Sequence, residues 1–328
     1  MSVLEGLKVI DLTRGCCGAY AAMQLADYGA RVVRPGEPPL DPAQDALHFG
    51  MEYQPDLQLP KGLEGAGVLL AEADTLPDGL TRSVLRAQYP KLVCAVIRED
   101  GAVGGPLAEA ACGMMDMTGF PDGAPTLSGG QSAECFAGVS LCFAITAALQ
   151  NAENGGEGAW IDYSLYDTFY SLLESPILFR ELTGTCPGRC GSADPATLVP
   201  YDVFACQDGY FSAGLASDAG WDRFCNAIGM SELIDDPRYD TNEKRCERYE
   251  EMTALFAPFF AGRTRAQLQE IFSAANIPSA PVLSAEEAME NEQIQARGMV
   301  RQAPAARDSF PLTCSPMKMS VTKPVCGG

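Results

Sequence analysis

Short apolar runs alternate with helical patterns in the first third of the chain, and this alternation constrains the fold more than any other feature. Strands are expected at residues 7–12, 31–33 and 92–97, and helices at 19–28 and 80–88. The run LVCAVI is apolar at every position, which is typical of a strand buried on both faces of a sheet. The pattern predicts an α/β fold with a Rossmann-like, doubly wound large domain.

A second, smaller lobe is expected beyond residue 185. The chain has 328 residues, which favours two domains. The loop GTCPGRCGSADP separates the lobes, and Gln207-Asp208-Gly209 between two strand-like runs indicates a hairpin. We therefore predict a large domain at residues 1–185, a small α+β domain at 186–300 and a C-terminal return segment at 301–328.

The charge balance excludes broad classes of partner. Lys and Arg number 23 against 43 Asp and Glu, which gives a net charge of −20. Binding to nucleic acid or to an anionic membrane surface needs many cations, so we expect neither partner. The longest apolar stretch, at residues 137–149, is shorter than the about 20 residues that span a bilayer.

Cysteine and histidine usage narrows the chemistry. The 13 cysteines are scattered without a CxxC motif, and the start MSVLEG lacks the features of a signal peptide. This usage predicts reduced thiols and a cytoplasmic location. His48 is the one histidine, and we interpret it as a loop or core residue rather than a member of a catalytic triad. Cys186 and Cys190 have no second ligand pair, so no metal site is predicted.

The turn DLTRGCCGA follows the first predicted strand, at an edge where parallel sheets bind ligands. Gly15 and Gly18 are three residues apart, which lets the backbone approach an anion. The motif differs from GxGxxG, so it carries no dinucleotide fingerprint. Gly15 and Cys16 are candidate ligand contacts, and a plain turn packed by small residues is the alternative.

A glycine loop leads directly into a strongly apolar helix at SGGQSAE. Glu134 then lies in the first helical turn, after Gly129 and Gly130. One interpretation is that the acid complements the helix dipole, an effect worth about 0.3–1 kcal/mol. The other is a carboxylate nucleophile that attacks an activated acyl group, while glycine N–H groups hold the oxyanion.

The order of these blocks resembles the class III coenzyme A transferases, a family that includes formyl-CoA and carnitine-CoA transferases and the α-methylacyl-CoA racemases. In the large lobe the resemblance rests on LEGLKVIDLTRGCCGAYAAMQLADYGARVV, ADTLPDGLTRSVL, PKLVCAVI, TGFPDGAPTLSGGQSAECFAGVSLCFAITAAL and GGEGAWIDYSLYDTF. It continues through VPYDVFACQDGYFSAG, WDRFCNAIG, DDPRYDTNEKR, SAEEAMENEQIQARGMV and FPLTCSPMKMSVTKP. The resemblance implies CoA transfer from an acyl-CoA donor to a small carboxylic acid, no permanently bound cofactor, and an interlocked homodimer.

The resemblance also assigns roles to individual residues. Glu134 takes the position of the family's covalent aspartate, which becomes an acyl anhydride and then an enzyme–CoA thioester. Arg82, with Ser83 beside it, matches an arginine that contacts CoA. The family holds the pantetheine and substrate end at the turn that contains Gly15 and Cys16. Two cations, Arg34 and Lys61, complete the expected CoA contacts, and Gly129 and Gly130 form the substrate loop.

Departures from the family pattern define a second hypothesis. Glu134 is one methylene longer than aspartate, and the segment before Lys61 lacks the family's usual basic pair. The chain ends at residues 323–328, where relatives continue into a closing helix. The segment GGPLAEAACGMM lacks the racemase histidine, so racemisation is not expected. The alternative function is a catalytically weak or silent subunit of a hetero-oligomeric transferase, paired with a paralogous subunit.

Overall fold

The computed structural model describes residues 2–98, 104–193, 197–215, 217–304, 309–322 and 324. A six-stranded parallel sheet forms its centre, with the strand order β3-β2-β1-β4-β5-β6. The strands are β1 Lys8–Asp11, β2 Arg31–Pro35, β3 Glu52–Gln54, β4 Val68–Glu72, β5 Val93–Arg98 and β6 Trp160–Ser164. This order is that of a doubly wound Rossmann-type sheet, so the predicted fold class is confirmed.

Helices cover both faces of the sheet, because the strands are apolar on both sides. They are α1 Cys16–Asp27, α2 Arg82–Gln88, α3 Gly105–Cys112, α4 Ser132–Glu153, α5 Leu165–Ser171 and α6 Glu174–Thr183. On one face, side chains of α1, α3, α4 and α5 form a core with Val9, Leu70 and Ala95. On the other face, Leu85 of α2 and Leu63 pack on the sheet.

The smaller unit is built on an antiparallel sheet of β7 Tyr201–Cys206, β8 Gly209–Gly214 and β9 Ser279–Pro281. Residues 207 and 208 connect β7 to β8, so the predicted hairpin is confirmed. Its helices are α7 Trp221–Ile228, α8 Asn242–Glu247, α9 Tyr249–Ala261 and α10 Arg265–Ala274. They enclose an aromatic core in which Phe204 stacks on Phe260 at 4.0 Å between ring centroids.

The chain divides into two compact units. The larger comprises Met1–Met115, Leu127–Pro187 and Met289–Gly328, and the smaller comprises Asp116–Thr126 and Gly188–Ala288. The remaining elements are α11 Ala285–Glu290, α12 Glu292–Ala296, β10 Val300–Pro304 and β11 Ser309–Thr313. β10 and β11 pair in antiparallel orientation and, apart from Val300, lie within the predicted return segment. Residues 305–308, 323 and 325–328 of that segment lie outside the described residues.

Helix α4 is longer than the apolar stretch expected from the sequence. Among the described helices, the stretch Gly129–Glu153 alone is long and apolar enough to cross a membrane, with a mean hydropathy of 1.6. The sequence-based limit at residues 137–149 was therefore wrong, because Ser140 and Thr146 do not interrupt the helix. One side of α4 packs in the core through Ala137, Leu141 and Ile145. Core helices of globular domains often have such composition.

The cysteines also depart from expectation at one position. Cys314 is disulfide-bonded, so the prediction of reduced thiols throughout is wrong there. The other described cysteines are not in disulfide bonds. The cytoplasmic location stays a prediction.

Candidate functional site

The candidate site lies at the carboxyl ends of β1 and β4, where the strand order of the sheet reverses. Ligands of doubly wound sheets bind at this kind of switch point. Asp11 ends β1 and is fully buried, and its Oδ1 accepts hydrogen bonds from the N–H and the Oγ1 of Thr13, at 2.9 and 2.7 Å. The Thr13 side chain occupies the space that a Cβ at residue 18 would need, so only glycine fits there. The chain between β1 and α1 is therefore tightly fixed.

Glu72, the last residue of β4, caps the N-terminus of α1. It is 7% exposed, and its Oε1 accepts the N–H of Gly15 at 2.6 Å and the N–H of Arg14 at 2.9 Å. Arg14 also pairs with Glu72 through Nε at 3.4 Å. The Gly15 N–H, predicted to face a ligand, thus donates to an internal carboxylate. Sequence reasoning missed Glu72, although an acid that ends the apolar run VLLAE was a signal.

Arg34, a predicted CoA contact, is held in a network at the end of β2. It forms an ion pair with Asp11, its Nη1 donates to Nε2 of His48 at 2.6 Å, and its Nη2 donates to the Thr13 carbonyl at 2.9 Å. Nδ1 of His48 donates to Oδ1 of Asp45 at 2.5 Å. His48 is buried, which agrees with a core role for this residue. The charge of Arg34 is largely neutralised within the protein.

Arg82 and Ser83 begin α2, where both are exposed. Thr81 caps this helix by accepting the Val84 N–H, and Ser83 Oγ lies 3.0 Å from Thr81 Oγ1. Arg82 borders a groove of about 270 Å³ that is also lined by Arg86, Tyr89, Glu157 and Trp160. Arg82 is therefore accessible to an anionic ligand.

Lys61 lies near the amino end of β1, whereas the candidate site lies at the carboxyl end of this strand. It begins a short 3-10 helix, and the carbonyl of the next residue, Gly62, accepts a hydrogen bond of 2.9 Å from Nζ of Lys8, which starts β1. The preceding carbonyl, of Pro60, accepts from the Tyr89 hydroxyl at 2.9 Å, just past the C-terminus of α2. A four-residue strand is about 10 Å long, so Lys61 is not brought to the Gly15 turn.

Glu134 lies in the first turn of α4, as predicted, with its carboxyl group against the start of α3. Its Oε1 accepts the N–H of Gly105 at 3.2 Å. A Cβ atom on Gly105 would lie 2.7 Å from this oxygen and closer still to Cγ and Cδ of Glu134. The missing side chain at Gly105 thus creates the space that the longer acid occupies.

The N-termini of α1, α3 and α4 meet around Glu134. Gly138, one turn along α4, is so close to α1 that a Cβ would lie 2.8 Å from the Cys17 carbonyl oxygen. Helix N-termini carry partial positive charge and unpaired N–H groups. This arrangement can stabilise an oxyanion beside Glu134.

Two thiols flank the Glu134 carboxylate. Cys16, the first residue of α1, shares a side-chain hydrogen bond with Cys135. Burial, followed by the neighbouring Cys135 thiol and the Glu134 carboxylate, raises the pKa of Cys16 to about 12. Burial also raises the pKa of Cys135. Both residues are protonated at neutral pH, so they are poor nucleophiles.

The glycine loop before α4 is open to solvent. No atom lies within 4 Å of a Cβ built on Gly129 or Gly130, and Gly130 and Gln131 have left-handed φ angles of 63° and 57°. Ser128, at the start of this loop, is bound by Glu109 of α3.

Within the described residues, no three side chains of metal-ligand type form a cluster.

A family model for CoA-transferase family III matches residues 4–53 and 56–326. The chain belongs to CoA-transferase family III. The predicted family membership is confirmed.

Curated relatives in the family are named as CoA-transferases. Succinate–glutarate CoA-transferase of Agrobacterium fabrum is 30% identical over 90% of this chain and 84% of its own length. Succinyl-CoA:mesaconate CoA-transferase of Haloarcula marismortui is 29% identical over 100% of this chain and 93% of its own. Acetyl-CoA:oxalate CoA-transferase of Acetobacter aceti is 30% identical over 90% and 85%.

Solved structures have the same fold. A CaiB/BaiF family protein from Brucella suis superposes with a TM-score of 0.83 at 24% identity, over 99% of this chain and 95% of the other. A protein from Mycobacterium tuberculosis gives 0.81 at 21% identity, over 100% and 96%.

Proposed function

We propose that the protein transfers CoA from an acyl-CoA thioester to a carboxylic acid, with Glu134 as the covalent carboxylate. The observation that carries the proposal is the position of the Glu134 carboxyl group. It accepts the Gly105 N–H at the point where α1, α3 and α4 begin. A carboxyl group that accepts an amide N–H at a helix N-terminus is held in one position. It can therefore act as a nucleophile towards an acyl carbon.

Four balanced steps complete the reaction. The Glu134 carboxylate attacks the thioester carbonyl, which forms an acyl–glutamyl anhydride and releases CoA thiolate. The thiolate attacks the glutamyl carbonyl, which gives an enzyme–CoA thioester and frees the donor acid. The acceptor carboxylate then attacks the carbonyl of this thioester, which forms a second anhydride and releases CoA thiolate. Attack of the thiolate on the acceptor carbonyl yields the new acyl-CoA and restores Glu134.

The surrounding groups support charge development in each step. The Gly105 N–H and the N-terminus of α4 lie beside the glutamyl carbonyl, where an oxyanion forms twice. One such donor is worth about a hundredfold or more in rate. The Gly129–Gly130 loop has room for the acyl group, since both glycines face open space. Arg82 and Ser83 are the accessible groups for the CoA phosphates.

Relatives indicate which substrates to test first. Their names specify succinyl-CoA or acetyl-CoA as donors and glutarate, mesaconate or oxalate as acids. We therefore propose a short-chain acyl-CoA and a small dicarboxylic acid as the substrate pair.

The decisive experiment is intact-mass analysis after incubation with succinyl-CoA and, separately, acetyl-CoA. We expect a covalent adduct with the mass of one CoA less one water, because the enzyme–CoA thioester forms with that loss. Glu134→Gln should abolish the adduct. Glu153→Gln, at the exposed C-terminal end of α4, is the matched control and should leave it unchanged. An adduct that survives in Glu134→Gln contradicts the proposed role of Glu134.

A specific observation also favours the alternative, a silent subunit. The Gly15 N–H donates to Glu72, and Arg34 is paired with Asp11. Lys61 lies near the amino end of β1, away from the candidate site. Of the residues predicted to contact CoA, few are therefore available to bind it. The alternative predicts no adduct with any donor and co-purification of a paralogous subunit that carries aspartate at the position of Glu134.

The homodimer is proposed on the apolar surface of the larger unit. Helix α4 presents Phe136, Val139 and Phe143 to solvent on one face, opposite its core-facing residues. Further exposed apolar side chains lie on α5 and α6, namely Tyr166, Tyr170, Ile177, Leu178 and Leu182. Monomeric proteins rarely expose so many apolar groups on neighbouring segments. A second copy of the chain is the proposed cover.

A further inference from the structure

Glu109 is a buried carboxylate with no part in the steps above. It lies in α3, is 4% exposed, and uses both of its oxygens on one residue. Oε2 accepts the N–H of Ser128 at 3.0 Å, and Oε1 accepts the Ser128 hydroxyl at 2.9 Å. Burial of a polar group is costly unless it is hydrogen-bonded, as both oxygens are here. Glu109 therefore ties Ser128 firmly to α3.

Helix α3 consequently holds both ends of one short segment. Glu109 binds Ser128 before the glycine loop, and the Gly105 N–H binds Glu134 just after it. Residues 105 and 109 are four apart, so they lie on one face of α3 about 6 Å along its axis. The position of the loop relative to Glu134 is thus set by a single rigid element.

The middle of the segment has no support of its own. Gly129 and Gly130 have no neighbour within 4 Å of a built Cβ, and both are exposed. The left-handed angles of Gly130 and Gln131 turn the backbone sharply before α4. Where the loop N–H groups point therefore depends on the two fixed ends.

We propose that Glu109 is a positioning residue for CoA transfer, which fixes the Ser128–Gln131 loop at the acyl group bound beside Glu134. The inference rests on the proposed function, because it assumes that an acyl group reacts at Glu134. A carboxylate suits this role, since it offers two acceptors to the two donors of Ser128. Glutamine keeps one acceptor and presents its NH₂ group to the other donor.

The experiment compares the rate of CoA-adduct formation in single turnovers. Glu109→Gln should slow the rate by about tenfold to a hundredfold, as expected for a misplacement of about 1 Å. Its KM for the acyl-CoA should stay within about twofold, because ground-state binding is not altered. Ser128→Ala should also slow the rate, and Ser128→Thr, which keeps the hydroxyl, should restore it. Glu153→Gln is the matched control for loss of one carboxylate.

A double variant tests whether the two residues act as one unit. Glu109→Gln with Ser128→Ala should be no slower than the slower single variant, since both remove the same contact. If Glu109→Gln does not fold, the Ser128 variants give the same answer alone. Unchanged rates in folded Glu109→Gln and Ser128→Ala overturn the inference. Absence of an adduct in the unmodified protein overturns the proposed function, and the inference falls with it.

Discussion

The main-chain N–H of Gly105 and the side chain of Glu134 form a matched pair at the start of α3. The amide donates to Oε1 at 3.2 Å, and a Cβ at residue 105 would lie only 2.7 Å from the same oxygen. The length of the acid and the absence of a side chain on its partner therefore depend on each other. This relationship gives the added methylene of Glu134 a place in the fold.

Gly105→Ala should displace the Glu134 carboxylate. We expect adduct formation to slow by about a hundredfold, since a shift of about 1 Å has an effect of that size. Because alanine is well tolerated in helices, the melting temperature should change little. Rates come from rapid-quench mass analysis with succinyl-CoA.

A second substitution serves as the control for this effect. Glu134→Asp shortens the acid and makes room for the new methyl group. The double variant Gly105→Ala with Glu134→Asp should therefore react faster than Gly105→Ala alone. A double variant that is slower than either single change would contradict the steric explanation.

Thiol labelling should separate Cys16 from the exposed cysteines. With its pKa raised to about 12, Cys16 is almost wholly protonated at pH 8, whereas an ordinary thiol has a pKa of about 8.5 and is partly ionised. The thiolate fraction is then lower by roughly a thousandfold. Iodoacetamide followed by peptide mapping should modify exposed Cys186 long before Cys16. Labelling of Cys16 should accelerate as the pH rises further, and equal rates at pH 8 would show that the thiol is not buried as described.

Arg34→Ala should mainly lower stability. Asp11 would be left as a buried charge without its cation, which costs about 3–5 kcal/mol in the free energy of unfolding. Urea titration measures this loss. Arg31→Ala is the control, because Arg31 pairs with Glu52 at the surface, where an ion pair contributes about 0–1 kcal/mol. If Arg34→Ala instead weakens CoA binding with unchanged stability, the sequence-based assignment as a CoA contact stands.

Phe143→Lys should disrupt the proposed homodimer. Phe143 is 74% exposed on the outer face of α4, and a charge in an apolar interface is costly to desolvate. Light scattering after size exclusion should show a dimer for the unmodified protein and a monomer for the variant. Leu40→Lys changes an exposed leucine outside α4–α6 and should leave the dimer intact. A monomer in every case rules out the homodimer.

Local sequence patterns predicted much of the fold and the location of Glu134. Apolar runs identified the parallel strands, and the glycines before α4 marked the helix start. The partners of Arg34 and Gly15 could not be predicted, because Asp11 and Glu72 reach them only after β1, β2 and β4 pair. The space at Gly105 was equally hidden, since it depends on how α3 meets α4.

Glu72 gives the α1 turn a permanent, tethered counter-ion. A phosphate that approached the Gly15 and Arg14 amides would have to compete with a carboxylate whose effective concentration never falls, since it belongs to the same chain. Phosphate mimics aimed at this turn should therefore inhibit poorly. Arg82, which is exposed at the start of α2, is the better target for such compounds.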